Sequence, residues 1–110
     1  MDSIKFSRHG YNLYGFYING ELWLSDVSVC ELLDLSLCHV YNILEKQGET
    51  KNILIIESRV EEWDFQIIRA SSVCWLMEYI NFEKKDLITM WLEGIMYSNA
   101  EDCNENKCRG

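Results

Sequence analysis

The 110-residue chain contains no proline, only 2 histidines and only 10 lysines and arginines. Without proline there is no polyproline segment and no proline-stiffened linker to divide the chain. With two histidines, His9 and His39, imidazole catalysis and histidine-rich metal sites have almost no material to work with. No apolar run approaches the roughly 18 residues that a membrane span requires. Basic residues are outnumbered, 10 against 18 acidic, for a net charge of −8. Residues 1–50 hold 7 acidic and 3 basic groups, and residues 51–110 hold 11 and 7, so each half carries −4. Phosphate backbones are held mainly by Lys and Arg, and this field repels them at a distance.

What is present suffices for one domain. Hydrophobic residues make up 48% of the chain and aromatic ones 13%, enough for a core and too many for global disorder. The start, Met1-Asp2-Ser3-Ile4-Lys5-Phe6, lacks the basic and then apolar character of a signal peptide. Five irregularly spaced cysteines cannot all pair with one another, so a reducing cytoplasm is the expected compartment.

Local signals predict an α+β fold, small antiparallel hairpins packed with about four helices. Residues 14–18 are aromatic and β-branched, and Asn19-Gly20 suits the two positive-φ positions of a type I′ turn into a second strand at 21–24. Ser25 is an expected N-cap for a helix over 26–33, with Val29, Leu32 and Leu33 inward. Asp34-Leu35-Ser36 breaks it, and Ser36 caps a second helix over 37–47 with Val40, Ile43 and Leu44 inward and Gly48 at its end. Strands are expected at 52–57 and 63–69. A third helix capped by Ser71 or Ser72 follows, with Val73, Leu76, Met77 and Ile80 on its inner face. Asn81 is a left-handed stop before a fourth helix over 83–97, with Leu87, Trp91 and Ile95 inward. The domain is thus expected to span 1–97, followed by a polar, flexible tail over 98–110.

Residues 27–44 have the pattern of a helix-turn-helix unit. Cys30 is small where the helices approach, Leu35 plugs the turn, and Asp34 occupies a left-handed position at a cost of about 1 kcal/mol. Were the second helix to read DNA, its outward side chains would be His39, Tyr41, Asn42, Glu45 and Lys46. Asn42 could then read adenine, and Lys46 could reach phosphate or guanine. Glu31, Asp34 and Glu45 share that surface, and two packed helices without a DNA role fit the same pattern.

Asn19-Gly20-Glu21-Leu22-Trp23-Leu24, followed by Asp26-Val27 and Val29-Cys30-Glu31-Leu32-Leu33-Asp34-Leu35-Ser36, resembles the start of the BRO-N domain. That domain is the N-terminal module of baculovirus repeated ORF proteins and of many phage antirepressors. Phe65-Gln66-Ile67-Ile68-Arg69 with Ser71 or Ser72 resembles the family's second strand and serine-capped helix. The stretch 87–95, with Trp91, resembles its closing helix. The resemblance implies a phage or viral regulator acting on DNA or on a transcriptional repressor, although members are generally richer in Lys and Arg.

No arrangement of catalytic residues stands out. Cys38 and His39 diverge by about 100° on a helix and form no local nucleophile–base pair. Cys103 and Cys108 are too widely spaced for a typical zinc pair and lack further ligands. Glu61, Glu62 and Asp64 read as a solvated acidic loop before a metal or acid–base cluster. No cofactor is expected, and the chain reads as a binding protein, not an enzyme. Two partner classes remain open. One is DNA or a repressor bound through His39, Tyr41, Asn42 and Lys46. The other is a basic host regulatory or defence complex, met by Glu31, Glu45, Glu57, Glu61, Glu62 and Asp64 in place of phosphates, as many small anti-CRISPR proteins do. Trp75 lies off its helix's apolar stripe and is either a core residue or an anchor for a partner or a homodimer.

Overall fold

The computed structural model describes residues 3–57 and 64–105, with side chains over 3–55 and 66–97. Five strands and four helices follow in the order β1 (Ile4–Arg8), β2 (Tyr11–Ile18), β3 (Glu21–Ser25), α1 (Asp26–Leu33), α2 (Leu37–Lys46), β4 (Ile53–Glu57), β5 (Asp64–Arg69), α3 (Ala70–Tyr79) and α4 (Lys85–Glu105). The expected α+β class is therefore present as one antiparallel sheet, in the order β1-β2-β3-β5-β4, with four helices. Among the described residues no single helix is long and apolar enough to cross a membrane.

Short-range chemistry explains most boundaries. Asn19 and Gly20 adopt φ of 53° and 81°, as the predicted tight turn requires, and pair β2 with β3. No strand is expected from sequence before residue 14. The structure adds β1, joined to β2 through His9 and Gly10, both at positive φ. Ser25 caps α1, its Oγ accepting the Ser28 N–H at 3.2 Å, and Ser36 caps α2 by accepting the His39 N–H at 3.1 Å. Each such cap is worth about 1 kcal/mol. Ser28 also accepts the Tyr14 N–H at 2.9 Å, fastening α1 to β2. Asn81 is left-handed, as expected, at φ 55°.

Three expectations are corrected. Neither Ser71 nor Ser72 caps α3, which starts at Ala70 directly from β5 with Arg69 in the cap position and no side-chain cap bond. No turn separates strand from helix, so the serines fall inside the first turn. In α4 the buried residues are Ile88, Trp91 and Leu92, with Ile95 half-buried, whereas Leu87 is exposed. The apolar residues of this helix lie on more than one side, and the packing selects a stripe one position later. The helix also runs on to Glu105, past the end expected at 97.

One face of the sheet, with Leu13, Leu22, Leu24 and Ile68, joins Val29, Leu33, Val40, Leu44, Val73, Leu76, Met77 and Leu92 of the helices in the main core. The opposite face carries a smaller cluster of Phe16, Trp23 and Ile67. Burying side chains of this size supplies about 1.5–3 kcal/mol each. Arg69 borders the smaller cluster, its guanidinium 4.4 Å from the Trp23 ring centroid while bonded to Asn52 and paired with Glu21. Tyr17 donates to the Ile95 carbonyl at 2.6 Å and ties β2 to α4.

Candidate functional site

The helix pair α1–α2 turns through 99° across residues 34–36, within the range of helix-turn-helix units. Asp34 makes the turn in a left-handed conformation (φ 58°, ψ 45°), and its N–H together with that of Leu35 bonds the Cys30 carbonyl. Cys30 is buried between the helices, and Leu35 is half-buried against the core. These contacts hold the two helices in a single geometry, so the outer face of α2 is set by the core beneath it.

That face borders an open groove of about 750 Å³. Leu37, Cys38, His39, Asn42 and Glu45 line it from α2, with Tyr41 at its floor. Asp26 closes it from α1 and Gln66 from β5. Of the sequence-predicted contact residues, His39, Tyr41, Asn42 and Glu45 meet here. Lys46 is exposed on α2 but does not line the groove, and Glu31 is exposed on α1 outside it. Glu61 and Glu62 lie outside the described residues, as does Trp63. Only the backbone of Glu57 and Asp64 is described, and its register sets the two opposite each other in β4 and β5.

Tyr41 does not project freely as expected. It is half-buried, and its hydroxyl donates to Asp26 Oδ2 at 2.8 Å. Burial, then the hydrogen bond and charge of Asp26, then Cys30, raise its pKa above the ordinary 10.0, so it remains a neutral donor. Asp26 is 9% exposed and sits in the first turn of α1, where the helix dipole favours its charge. One carboxylate thus serves both helices and shapes the groove wall. No short-range signal links positions 26 and 41, or brings Gln66 to the same wall; both depend on how β5 and α2 dock.

The groove lining includes two carboxylates, Asp26 and Glu45, and neither Lys nor Arg among the described residues. The rest of the lining comes from Ser36, Leu37, Cys38, His39, Tyr41, Asn42 and Gln66. Such a wall suits hydrogen-bond donors and positive charge. Cys38 is the exposed thiol here. Cys30 is pushed up to about 11 by burial, then by Asp26 and Glu31, and burial also raises Cys74, so both are held as thiols at neutral pH. Among the described residues no three His, Cys, Asp or Glu side chains gather to hold a metal ion.

Trp75 is half-buried on α3 and stacks on Tyr79, with ring centroids 5.2 Å apart and planes at 24°. It packs against the main core while its partner ring is largely exposed. Trp75 therefore combines core contact with a place at the edge of a surface aromatic pair. No family model, curated protein or solved structure matches this chain.

Proposed function

We propose that this chain is a non-enzymatic regulatory protein of the BRO-N kind that binds a basic protein surface, such as a nucleic-acid-binding repressor or defence complex, through the α1–α2 groove. The observation that carries this reading is the lining of the groove. Carboxylates stand at Asp26 and Glu45, and no Lys or Arg is among the described residues that line the groove, on the face where a DNA reader would present cations. The net charge of −8 adds a long-range field of the same sign. The floor is fixed by the Tyr41–Asp26 bond, so a partner meets a preformed wall and loses little to ordering it.

Direct DNA reading is the second reading. The 99° helix pair and the outward Asn42 and Lys46 favour it, since Asn can pair with adenine and Lys with guanine or phosphate.

Fluorescence anisotropy separates the two, using a labelled Lys/Arg-rich peptide and a labelled mixed-sequence duplex at several salt concentrations. The peptide should bind, weaken with salt, and lose at least about tenfold in affinity with Glu45→Lys. The control Glu83→Lys changes net charge equally outside the groove and should leave affinity within about twofold, so equal losses in both variants would reduce the attraction to bulk charge. Alkylating Cys38 with a bulky maleimide should block binding as well. Micromolar duplex binding that depends on Asn42 and Lys46 would replace this proposal with the second reading.

A further inference from the structure

Helix α4 is apolar on a side that no described residue of the protomer covers. Ile88, Trp91 and Leu92 face the body, yet Leu87 is 43% exposed, Met90 73% and Tyr97 67%. Positions 87, 90, 94 and 97 have the 3-4-3 spacing of a helix–helix seam and share an arc of about 80° on the helix. Position 94 is Gly, and a Cβ added there would meet nothing within 4 Å. Beside it lies a hollow of about 250 Å³ walled by Arg8, Met90, Trp91, Gly94 and Ile95. The seam therefore carries one protruding flexible side chain and one recess, a single turn apart.

We infer that this stripe is the contact surface for a second copy of the chain, packed antiparallel along α4. An antiparallel pair centred on position 92 sets Met90 against Gly94 of the copy and Leu87 against Tyr97. By symmetry the same two contacts occur twice, as an isologous two-fold interface requires. The most exposed side chain of the stripe then enters the recess that the glycine leaves. Leu87, Met90 and Tyr97 together expose on the order of 350 Å² per protomer, hence about 700 Å² per pair before flanking residues are added. Specific interfaces begin near 1,200 Å², so the dimer is a weak one, with a dissociation constant on the order of 10–100 µM. Glu93 flanks the seam and Arg8 walls the recess in both copies, so charges of both signs border the contact and added salt should move the association little. The surface shares no residue with the groove and does not depend on the function proposed for it.

Sedimentation velocity over about 5 µM to 1 mM tests this. The wild-type mass should rise from 13.0 kDa toward twice that value across this range. Met90→Lys, which would bring an ammonium against Arg8 in the recess, and Gly94→Glu, which would fill the recess, should each weaken association at least about tenfold, with circular dichroism showing each variant folded. An equimolar mixture of the two variants should recover a dimer. In the mixed pair the new ammonium at position 90 of one copy faces the new carboxylate at position 94 of the other, while the second Met90–Gly94 contact stays intact. A wild-type mass fixed at 13.0 kDa throughout, association unmoved by either variant, or no recovery in the mixture would overturn the inference.

Discussion

The Tyr41–Asp26 bond holds the groove together, and its contribution can be isolated. Tyr41→Phe removes a hydroxyl that donates to a nearly buried carboxylate at 2.8 Å. Hydrogen bonds to charged groups contribute about 1.5–3 kcal/mol, and the half-exposure of Tyr41 puts this one near the lower end, about 1.5 kcal/mol. Asp26→Ala loses that bond and also about 0.3–1 kcal/mol of favourable charge at the start of α1. The double variant separates these terms, and the coupling between the two positions should be about 1–2 kcal/mol. In urea unfolding followed by circular dichroism, with a slope of roughly 1–1.5 kcal/mol per molar, Tyr41→Phe should lower the midpoint by about 1 M. The pH dependence has a definite sign. The folded-state pKa of Tyr41 lies above its ordinary 10.0, so its contribution is complete below that pH and is lost as pH rises from there toward the folded value. The stability gap between wild type and Tyr41→Phe should therefore be flat from neutral pH to about pH 9 and shrink above about pH 10. A coupling below about 0.5 kcal/mol, or a gap that widens in alkali, would show that the groove floor does not depend on this bond.

Two further outcomes test the fold beneath the groove. A methyl at Gly15 would stand 2.7 Å from the Trp23 carbonyl oxygen, which the β2–β3 pairing holds in place. Gly15→Ala should thus cost about 2–4 kcal/mol in urea unfolding, whereas Gly94→Ala, which meets nothing, should gain about 0.5–1 kcal/mol. Asp34 holds a left-handed conformation that glycine adopts freely, so Asp34→Gly should raise stability by about 0.5–1 kcal/mol, read as a higher thermal midpoint with an unchanged spectrum.

Several contributions to the groove have no counterpart in short-range pattern. Lys46 and Glu45 are sequence neighbours on α2, yet only Glu45 lines the groove, because α2 rolls its Val40–Ile43–Leu44 stripe onto the core and turns Lys46 aside. The first strand lies at the sheet edge and is largely exposed, so little alternation marks it in the sequence. In α4, apolar residues at 87, 88, 90, 91, 92 and 95 satisfy two helical phases at once, and only packing against α3 and β2 distinguishes the inner one.

The features legible in the amino-acid string are those decided within a few residues. The left-handed Asn19-Gly20 turn, the Ser25 and Ser36 caps, the Asp34 break and the Asn81 stop all rest on a side chain or a backbone angle acting on its immediate neighbours. Strand order, the sharing of Asp26 with a tyrosine fifteen positions away, the arrival of Gln66 at the same wall and the outward stripe of α4 were settled only in three dimensions. These depend on sheet register and on which apolar faces meet. That choice minimises exposed area over the whole chain, and no short stretch of residues encodes it alone.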